Sequence, residues 1–348
     1  MNNLEDILQV ICVGLIVATF LLNTGRGLKA IEVSKECLIF LNKKPPKKEN
    51  KFFNLVNIAI YKTLCKAHCF VTDYTNATKY AWKLLDIHRE CGETAKEGNI
   101  TLTLASMYEK QFKYVEAREL YKSATKIMRE IKNRNGEALS YENCAIMSYC
   151  LSDYDKAKEN FEKALAIRVE IGDKKGEAAG YGNLGTVFQS LSEYGRAKEY
   201  LEKALAIRIK IGDRGGQGAD YGILGVVFQS LGEYEKAKEY LEKALAIRIN
   251  IGDRAGQAAD YGILGAVFRC LGEYEKAKGY FEKALAIRIE ISDRKGEAID
   301  YGNLGTLFNS LGENEKAKKY FEKALAIMRE IGHRQGEAAV YGNLGTVF

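Results

Sequence analysis

The stretch DRGGQGADYGILGVVFQSLGEYEKAKEYLEKALAIRINIG, residues 213 to 252, is one copy of a unit that returns at a constant interval through most of the chain. Adjacent copies are close to identical, since residues 201–240 and 241–280 agree at 33 of 40 aligned positions. A fixed period of roughly 20 to 50 residues is typical of stacked supersecondary units, because no single unit can bury its apolar face without a neighbour. The period therefore predicts a solenoid whose function lies on a surface.

Each unit is predicted to fold as two antiparallel helices. Gly212 is suited to end one helix in the left-handed conformation, and Asp213 is suited to cap the first turn of the next. Apolar residues at helical spacing predict helix A from about residue 216 to 231. After a turn at Gly232, a second apolar stripe predicts helix B from about residue 233 to 251.

Small residues interrupt both apolar stripes. Gly225 lies inside helix A, where glycine costs about 1 kcal/mol relative to alanine by propensity alone, and it recurs from unit to unit. We therefore expect helix B to approach helix A closely at this glycine. Ala237 and Ala244 of helix B are small for the same reason.

The composition supports an all-α chain and narrows its partners. The only prolines among 348 residues are Pro45 and Pro46, so nearly the whole length is free to be helical. The net charge of +6 comes from 52 basic and 46 acidic residues interspersed within each repeat, the pattern of solvated helix faces with pairs such as Glu239 and Lys243. Nucleic acid is therefore not an expected partner. Eight cysteines without paired spacing indicate reduced thiols and a cytoplasmic protein.

Seven positions of the unit carry a family resemblance. They stand where the tetratricopeptide repeat (TPR) has its signature residues, and here they are Tyr221, Leu224, Gly225, Phe228, Ala237, Leu241 and Ala244. The resemblance implies a right-handed superhelical α-solenoid of antiparallel helix pairs. The usual unit of about 34 residues closes with proline, whereas this one has Ile249 there and longer helices. The 40-residue variant resembles the Leu-Gly-Asn repeat scaffolds of cell polarity and large invertebrate TPR proteins.

The repeat register divides the chain into segments. The signature alanine recurs upstream at Ala197, Ala157, Ala117 and Ala77. The predicted segments are a divergent first repeat or apolar N-terminal segment at 1–42, a basic proline-containing loop at 43–51, two divergent repeats at 52–136, five near-consensus repeats at 137–332 and a truncated repeat with helix A only at 333–348. Because this last helix is apolar and lacks its partner, we interpret the chain as a fragment.

Residues 7–22 are mostly apolar, so this segment bears on the predicted localisation of the protein. The repeat register favours a repeat helix, because it gives expected roles to Val17, Ala18, Leu21, Gly25 and Ala30. A membrane anchor is the alternative, although this run is shorter than the roughly 20 residues that span a bilayer. A cleaved signal is disfavoured because acidic residues, rather than basic ones, precede the run.

The sequence contains no recognisable catalytic arrangement. Cys65, His68 and Cys69 share one helix face, and His88 with Cys91 adds two potential metal ligands. In an antiparallel pair these two groups fall near opposite ends of the helices, so core packing is the favoured interpretation. The recurrent glycines lie inside helix A and do not form a phosphate-binding loop. We therefore predict a protein that is not an enzyme and needs no metal or cofactor.

Candidate binding residues come from columns that differ among the repeats. In TPR arrays helix A lines the concave face, and related 40-residue scaffolds use asparagines two positions after the first signature aromatic to hydrogen-bond a peptide backbone. The matching column here is Asn143, Asn183, Ile223, Ile263, Asn303 and Asn343. The two columns that follow contribute Thr186, Val226, Ala266 and Thr306, and then Gln189, Gln229, Arg269 and Asn309.

Two neighbouring repeats depart from the polar pattern. Their apolar residues Ile223, Val226, Ile263 and Ala266 predict a groove with polar ends and an apolar centre, suited to a hydrophobic anchor on a partner peptide. The alternative is drift among recently duplicated copies, in which each isoleucine only packs against the next helix.

The sequence as a whole favours a non-catalytic scaffold or adaptor that binds extended or helical segments of other proteins. A second interpretation is the sensor or regulatory arm of a larger signalling protein, since the invertebrate families that the array resembles include members with a caspase-like domain after the repeats. Self-association through the ends of the array is a third. Contact with a membrane is expected only through residues 7–22.

Overall fold

The computed structural model describes residues 4–42 and 51–346 of the chain. These residues form 17 α-helices joined mostly by three-residue turns. The helices are α1 Leu4–Asn23, α2 Gly27–Asn42, α3 Lys51–Phe70, α4 Tyr74–Glu90, α5 Thr94–Lys110, α6 Tyr114–Glu130, α7 Arg134–Cys150, α8 Tyr154–Glu170, α9 Lys174–Ser190, α10 Tyr194–Ile211, α11 Arg214–Ser230, α12 Tyr234–Ile251, α13 Arg254–Cys270, α14 Tyr274–Glu290, α15 Arg294–Ser310, α16 Asn314–Glu330 and α17 Arg334–Gly345.

The helices fall into two compact units, residues 1–171 and residues 172–348. Unit 1 contains α1 to α8 and unit 2 contains α9 to α17, and within each unit every helix packs against the next in the chain. The odd-numbered helices are the predicted A helices and the even-numbered ones the B helices. The predicted all-α fold of consecutive helix pairs is therefore confirmed, whereas the predicted basic loop at 43–51 lies outside the described residues except for Lys51, where α3 begins.

The turns between helices follow the predicted stop and start signals. Gly212 adopts the left-handed conformation with φ of 72°, and Asp213 Oδ1 accepts a hydrogen bond from the Gly216 amide at 3.0 Å. Gly232 is also left-handed, with φ of 76°. At the start of α17 His333 replaces the aspartate, and its Nδ1 accepts the same bond from Gly336 at 2.9 Å.

Some repeats have a residue with a side chain where others have this left-handed glycine. Ser292 has φ of 58° at the position that Gly212 and Gly252 occupy in earlier repeats. A Cβ in the left-handed region costs roughly 1 to 2 kcal/mol, and glycine loses part of that advantage through its greater chain entropy. Ser292→Gly is expected to raise the free energy of unfolding by roughly 0.5 to 1 kcal/mol in urea titrations. Ser106→Gly, inside α5, is the control and is expected to lower it.

The close approach expected at the helix-A glycine is present. A Cβ on Gly225 would lie 2.5 Å from Leu241 Cγ and 3.3 Å from the carbonyl oxygen of Ala237. Ala237 and Ala244 have no exposed surface. The equivalent Cys65 of α3 is also buried, which supports its interpretation as a core residue.

The first two helices pair as a repeat does. Helix α1 packs against α2, Ala18 and Ala30 are fully buried, and Gly25 makes the left-handed turn with φ of 79°. The role predicted for Val17 is wrong, because its side chain is 42% exposed. The adjacent Ala18 is fully buried, so the buried side of α1 includes Ala18 and not Val17. Across the described ranges, no helix combines the length and apolar character needed to cross a membrane.

Candidate protein-binding face

Four A helices of unit 2, α9, α11, α13 and α15, lie side by side in contact. α9 contacts α11, α11 contacts α13, and α13 contacts α15, in addition to the contacts that each makes with its own B helix. Most of the predicted column residues lie on these four helices and are half-buried. They are Asn183, Thr186, Gln189, Ile223, Val226, Gln229, Ile263, Ala266, Arg269, Asn303, Thr306 and Asn309.

The remaining two column residues lie elsewhere. Asn143 is half-buried on α7 in unit 1, whereas Asn343 is exposed on α17, which has no following helix among the described residues. The face that the structure brings together in unit 2 therefore spans four repeats. We call it the helix-A face of unit 2 and define it by the twelve half-buried column residues.

The polar residues of this face are partly committed to internal hydrogen bonds. The hydroxyl groups of Thr186 and Thr306 donate to backbone carbonyls one turn earlier, at 3.1 Å and 3.0 Å. The amide of Asn309 donates to Oγ1 of Thr346, the residue after α17, at 3.3 Å. Asn303 Nδ2 reaches Asp300 Oδ1 at 3.5 Å, a long contact that leaves most of the hydrogen-bonding capacity of this amide free.

The centre of the face is apolar and open to solvent. Ile223 and Val226 on α11, and Ile263 and Ala266 on α13, are half-buried, and these two helices are in contact. An isoleucine that only filled the interface between repeats would be as buried as Leu224 or Leu264, which have no exposed surface. The apolar centre can therefore accept further apolar contacts from a partner.

Beneath this face lie three buried carboxylates that the sequence interpretation missed. Asp220, Asp260 and Asp300 are 1%, 1% and 3% exposed. Each is paired with an arginine of the preceding B helix. The closest atoms are Arg208 Nη1 and Asp220 Oδ1 at 3.1 Å, Arg248 Nη1 and Asp260 Oδ1 at 2.9 Å, and Arg288 Nε and Asp300 Oδ2 at 3.8 Å.

Burial dominates the ionisation of these carboxylates. Removal from water raises the pKa of each aspartate to about 7, and the attraction of the neighbouring arginine only partly opposes the rise. In each carboxylate the Oδ2 atom has no hydrogen-bond donor among the described residues. The sequence predicted that the charges of the repeats lie on solvated helix faces, and for these three buried pairs that prediction is wrong. The predicted surface pair of Glu239 and Lys243 does form, at 2.5 Å.

The pairs connect one repeat to the next. A Cβ on Gly182 would be 3.1 Å from Arg208 Nη2 and 3.1 Å from Asp220 Oδ1, and Gly222 stands in the same relation to the pair of Arg248 and Asp260. The glycine on one A helix thus makes room for the ion pair that joins the B helix of its own repeat to the A helix of the following repeat. The sequence signal was available, since an aspartate follows an arginine at the same interval and the same repeat position in three consecutive units.

The candidate metal ligands are not brought together. His68 Nδ1 lies 2.9 Å from Asp73 Oδ2, and His88 Nδ1 lies 2.6 Å from Glu93 Oε2. Each histidine is therefore held by the carboxylate at the start of the next helix. In the part of the chain that the structure describes, no three His, Cys, Asp or Glu side chains are placed to hold a metal ion.

Known structures share this architecture. BtubC (BKLC) from P. vanneervenii is 25% identical, with a TM-score of 0.53 over 63% of this chain and 90% of that one. The apo quorum sensor NprR from B. thuringiensis is 15% identical, with a TM-score of 0.64 over 91% of this chain and 86% of that one. A STAND protein with a tetratricopeptide repeat sensor from Pyrococcus horikoshii is 19% identical, with a TM-score of 0.61 over 91% of this chain and 49% of that one.

A comparison with curated proteins finds no match. The family model for the tetratricopeptide repeat matches residues 136–210, 219–290 and 297–348, which together are more than half of the chain. These matches include all twelve residues that define the helix-A face of unit 2. The chain belongs to the tetratricopeptide repeat family.

Proposed function

We propose that this chain is a non-catalytic interaction scaffold that holds a segment of a partner protein on the helix-A face of unit 2. The observation that carries the proposal is the half-buried apolar centre on α11 and α13, flanked by polar residues on α9 and α15. Protein-binding surfaces commonly combine an apolar core with a polar rim. The repeat fold itself typically serves protein interaction rather than catalysis.

The ends and the centre of the face suit different parts of a bound segment. Asn183 and Asn303 offer amide donors and acceptors for a peptide backbone, while Ile223 and Ile263 offer contact to an apolar side chain. A partner segment with one large apolar residue and polar residues on either side matches this arrangement. Affinity would then depend mainly on the apolar anchor, because a few desolvated contacts carry most of the binding energy in protein interfaces.

The test uses random decapeptides displayed on phage and selected on the full chain. We expect the double variant Ile223→Asn with Ile263→Asn to bind the selected peptides roughly tenfold or more weakly in calorimetric titrations. The matched control is Ile209→Asn with Ile249→Asn, which makes the same change in two consecutive repeats on B helices, where both side chains are 54% exposed. It should leave affinity unchanged. Unchanged affinity in the first variant, with helicity retained, would exclude the apolar anchor.

A sensor arm of a larger signalling protein is the second candidate function. In its favour, the P. horikoshii protein is described as a signal-transduction ATPase with a tetratricopeptide repeat sensor, and the match covers 91% of this chain but 49% of that one. The full-length transcript distinguishes the two proposals. A catalytic or nucleotide-binding region next to the repeats supports the sensor arm, whereas further repeats alone support the scaffold.

A further inference from the structure

Helix α1 of unit 1 carries an apolar stripe on its solvent-facing side. Val13, Ile16, Val17 and Phe20 are 61%, 70%, 42% and 62% exposed. Their spacing places all four on one side of the helix, and Ala18, which is fully buried, belongs to the opposite side. We call the four exposed residues the α1 stripe. A contiguous apolar surface of this kind commonly marks an interaction site.

The α1 stripe occupies repeat columns that are buried in the later A helices. Aligning Ala18 with Cys65, and Ala30 with Ala77, puts Val17 in the column of the signature leucine. The members of that column in α3 to α15, each at most 1% exposed, are Leu64, Leu104, Cys144, Leu184, Leu224, Leu264 and Leu304. The stripe is therefore exposed at positions where the repeat normally buries its side chains.

In later repeats the neighbour at these columns is the preceding B helix. Asp220 shares the column of Val13, and it pairs with Arg208 of the preceding helix α10 at 3.1 Å. Among the described residues, α1 has no preceding B helix. The α1 stripe is thus a helix-packing surface that is left open at the first described repeat.

Helix α2 adds two opposite charges beside the stripe. A Cβ on Gly14, less than one turn from Val17, would lie 3.8 Å from Val33 Cγ1 of α2. Lys29 stands four residues before Val33 and Glu36 three residues after it, so the three share one side of α2. Both charged residues are exposed. We call the α1 stripe, together with Lys29, Val33 and Glu36, the end face of unit 1.

The end face is complementary to a second copy of itself. The stripe is centred about eight residues before the turn at Gly25, and the midpoint of Lys29 and Glu36 lies about eight residues after it. A single two-fold axis across both helices would therefore lay each helix antiparallel to its own copy. Lys29 of each chain would meet Glu36 of the other, whereas a parallel arrangement would bring like charges together.

We propose that two copies of this chain dimerise through the end face, with α1 packed antiparallel against α1 of the second copy. The contact removes the exposed apolar side chains from water, and the two-fold arrangement closes after two chains. The dimer itself does not depend on the function proposed for unit 2. Each dimer carries two helix-A faces, so a partner with two binding segments would gain avidity, a consequence that does rest on that function.

A lipid surface fits the end face less well. Helices that lie in the membrane interface are typically rich in Lys and Arg on the side opposite their apolar residues. Residues 7–23 of α1 contain no charged residue, and the side of α1 opposite the stripe packs in the core of unit 1. The charges of the end face also include both signs, on Lys29 and Glu36. These features favour a protein surface with the same pattern.

Light scattering coupled to size-exclusion chromatography tests the dimer on the full chain. A concentration series should approach twice the mass of one chain. Ile16→Lys with Phe20→Lys is expected to raise the dissociation constant at least roughly a hundredfold, because it places like charges in an apolar contact. The matched control makes the same two substitutions outside the end face, at Ile209 and Phe112, which are 54% and 78% exposed. It should remain dimeric, and circular dichroism should show unchanged helicity in both variants.

A charge exchange tests the antiparallel arrangement. Lys29→Glu alone should raise the dissociation constant about three- to tenfold, because like charges then face each other twice across the axis. Adding Glu36→Lys to the same chain should restore the original affinity, since charges of opposite sign meet again. A parallel or head-to-tail contact predicts no such recovery, so its absence would overturn the proposed arrangement.

Four other results would overturn the proposal. The first is a chain that stays monomeric at every concentration, and the second is a mass that keeps growing beyond two chains, which would indicate head-to-tail association. The third is loss of the dimer in the control with substituted Ile209 and Phe112. The fourth is a monomer that floats with phosphatidylserine vesicles only when Ile16 and Phe20 are intact, which would assign the end face to a lipid surface.

Discussion

Replacing Arg248 with methionine is expected to lower the free energy of unfolding by about 3 to 5 kcal/mol at pH 8. Above pH 7 the carboxylate of Asp260 is mostly ionised, and Arg248 Nη1, at 2.9 Å, is its cationic partner. Methionine fills much of the same volume but leaves the buried charge without a counterion. Removal of one partner of a buried pair is costly for this reason, even where the intact pair contributes little net stability.

The cost should depend on pH in a defined direction. The groups that face Asp260 are Arg248 from α12 and Asp253 from the turn, and on α11 a Cβ on Gly222 would lie 3.2 Å from Asp260 Oδ1. Burial raises the pKa of Asp260 to about 7 in the folded chain, above the unfolded value of 3.8. The folded state therefore binds the extra proton, and this contribution to stability is present at low pH and lost as the pH rises through 7. At pH 5.5, where the carboxyl group is neutral, Arg248→Met should cost much less than at pH 8.

Urea titrations at pH 5.5 and pH 8 measure both effects. The control is Arg254→Met, the same substitution in a surface pair with Glu290 whose side chains are 42% and 55% exposed. It should cost less than about 1 kcal/mol at either pH. A cost of about 3 to 5 kcal/mol for Arg248→Met at both pH values would show that Asp260 is ionised throughout this range. The double variant with Asp260→Leu should recover most of the loss, because no buried charge remains.

The sequence predicted the fold in detail because each helix boundary has a local chemical cause. Gly212 and Asp213 act within one turn of the chain, and Gly225 acts through contact with the next helix of its own repeat. The same residues recur every 40 positions, so the same boundary signals were present in successive repeats. The same reasoning misplaced Val17, because its column is buried beside the preceding B helix in later repeats and no B helix precedes α1 among the described residues.

The candidate sites were less predictable because they depend on contacts between repeats. The pairing of Arg208 with Asp220 joins a B helix to the following A helix, and it needs the space that Gly182 leaves on another helix. These three residues lie on three different helices, so the apolar periodicity of any one helix does not reveal their contact. From the sequence alone, Arg208 and Asp220 therefore resembled solvent-exposed charges.

Ala237→Leu is expected to lower the free energy of unfolding by about 1 to 3 kcal/mol, by overpacking the contact between α11 and α12. Ala237 has no exposed surface, and its carbonyl oxygen lies 3.3 Å from the position that a Cβ on Gly225 would take. Leucine is almost as good a helix former as alanine, so propensity does not explain a loss. The extra side-chain atoms can be accommodated only by moving the two helices apart, which would also loosen the packing of Leu241 under Gly225.

Thermal and urea unfolding of the full chain measure the loss, with Glu235→Leu as the control. Glu235 lies two residues earlier on α12 with its side chain 77% exposed, so the same leucine there meets only solvent. Its effect should stay within about 0.5 kcal/mol. Equal stability of the two variants would mean that α11 and α12 can separate without loss, and the small residues of the repeat would then need another explanation. A loss confined to Ala237→Leu would show that the repeated alanine sets the spacing between helices A and B, and with it the spacing of the side chains on the helix-A face of unit 2.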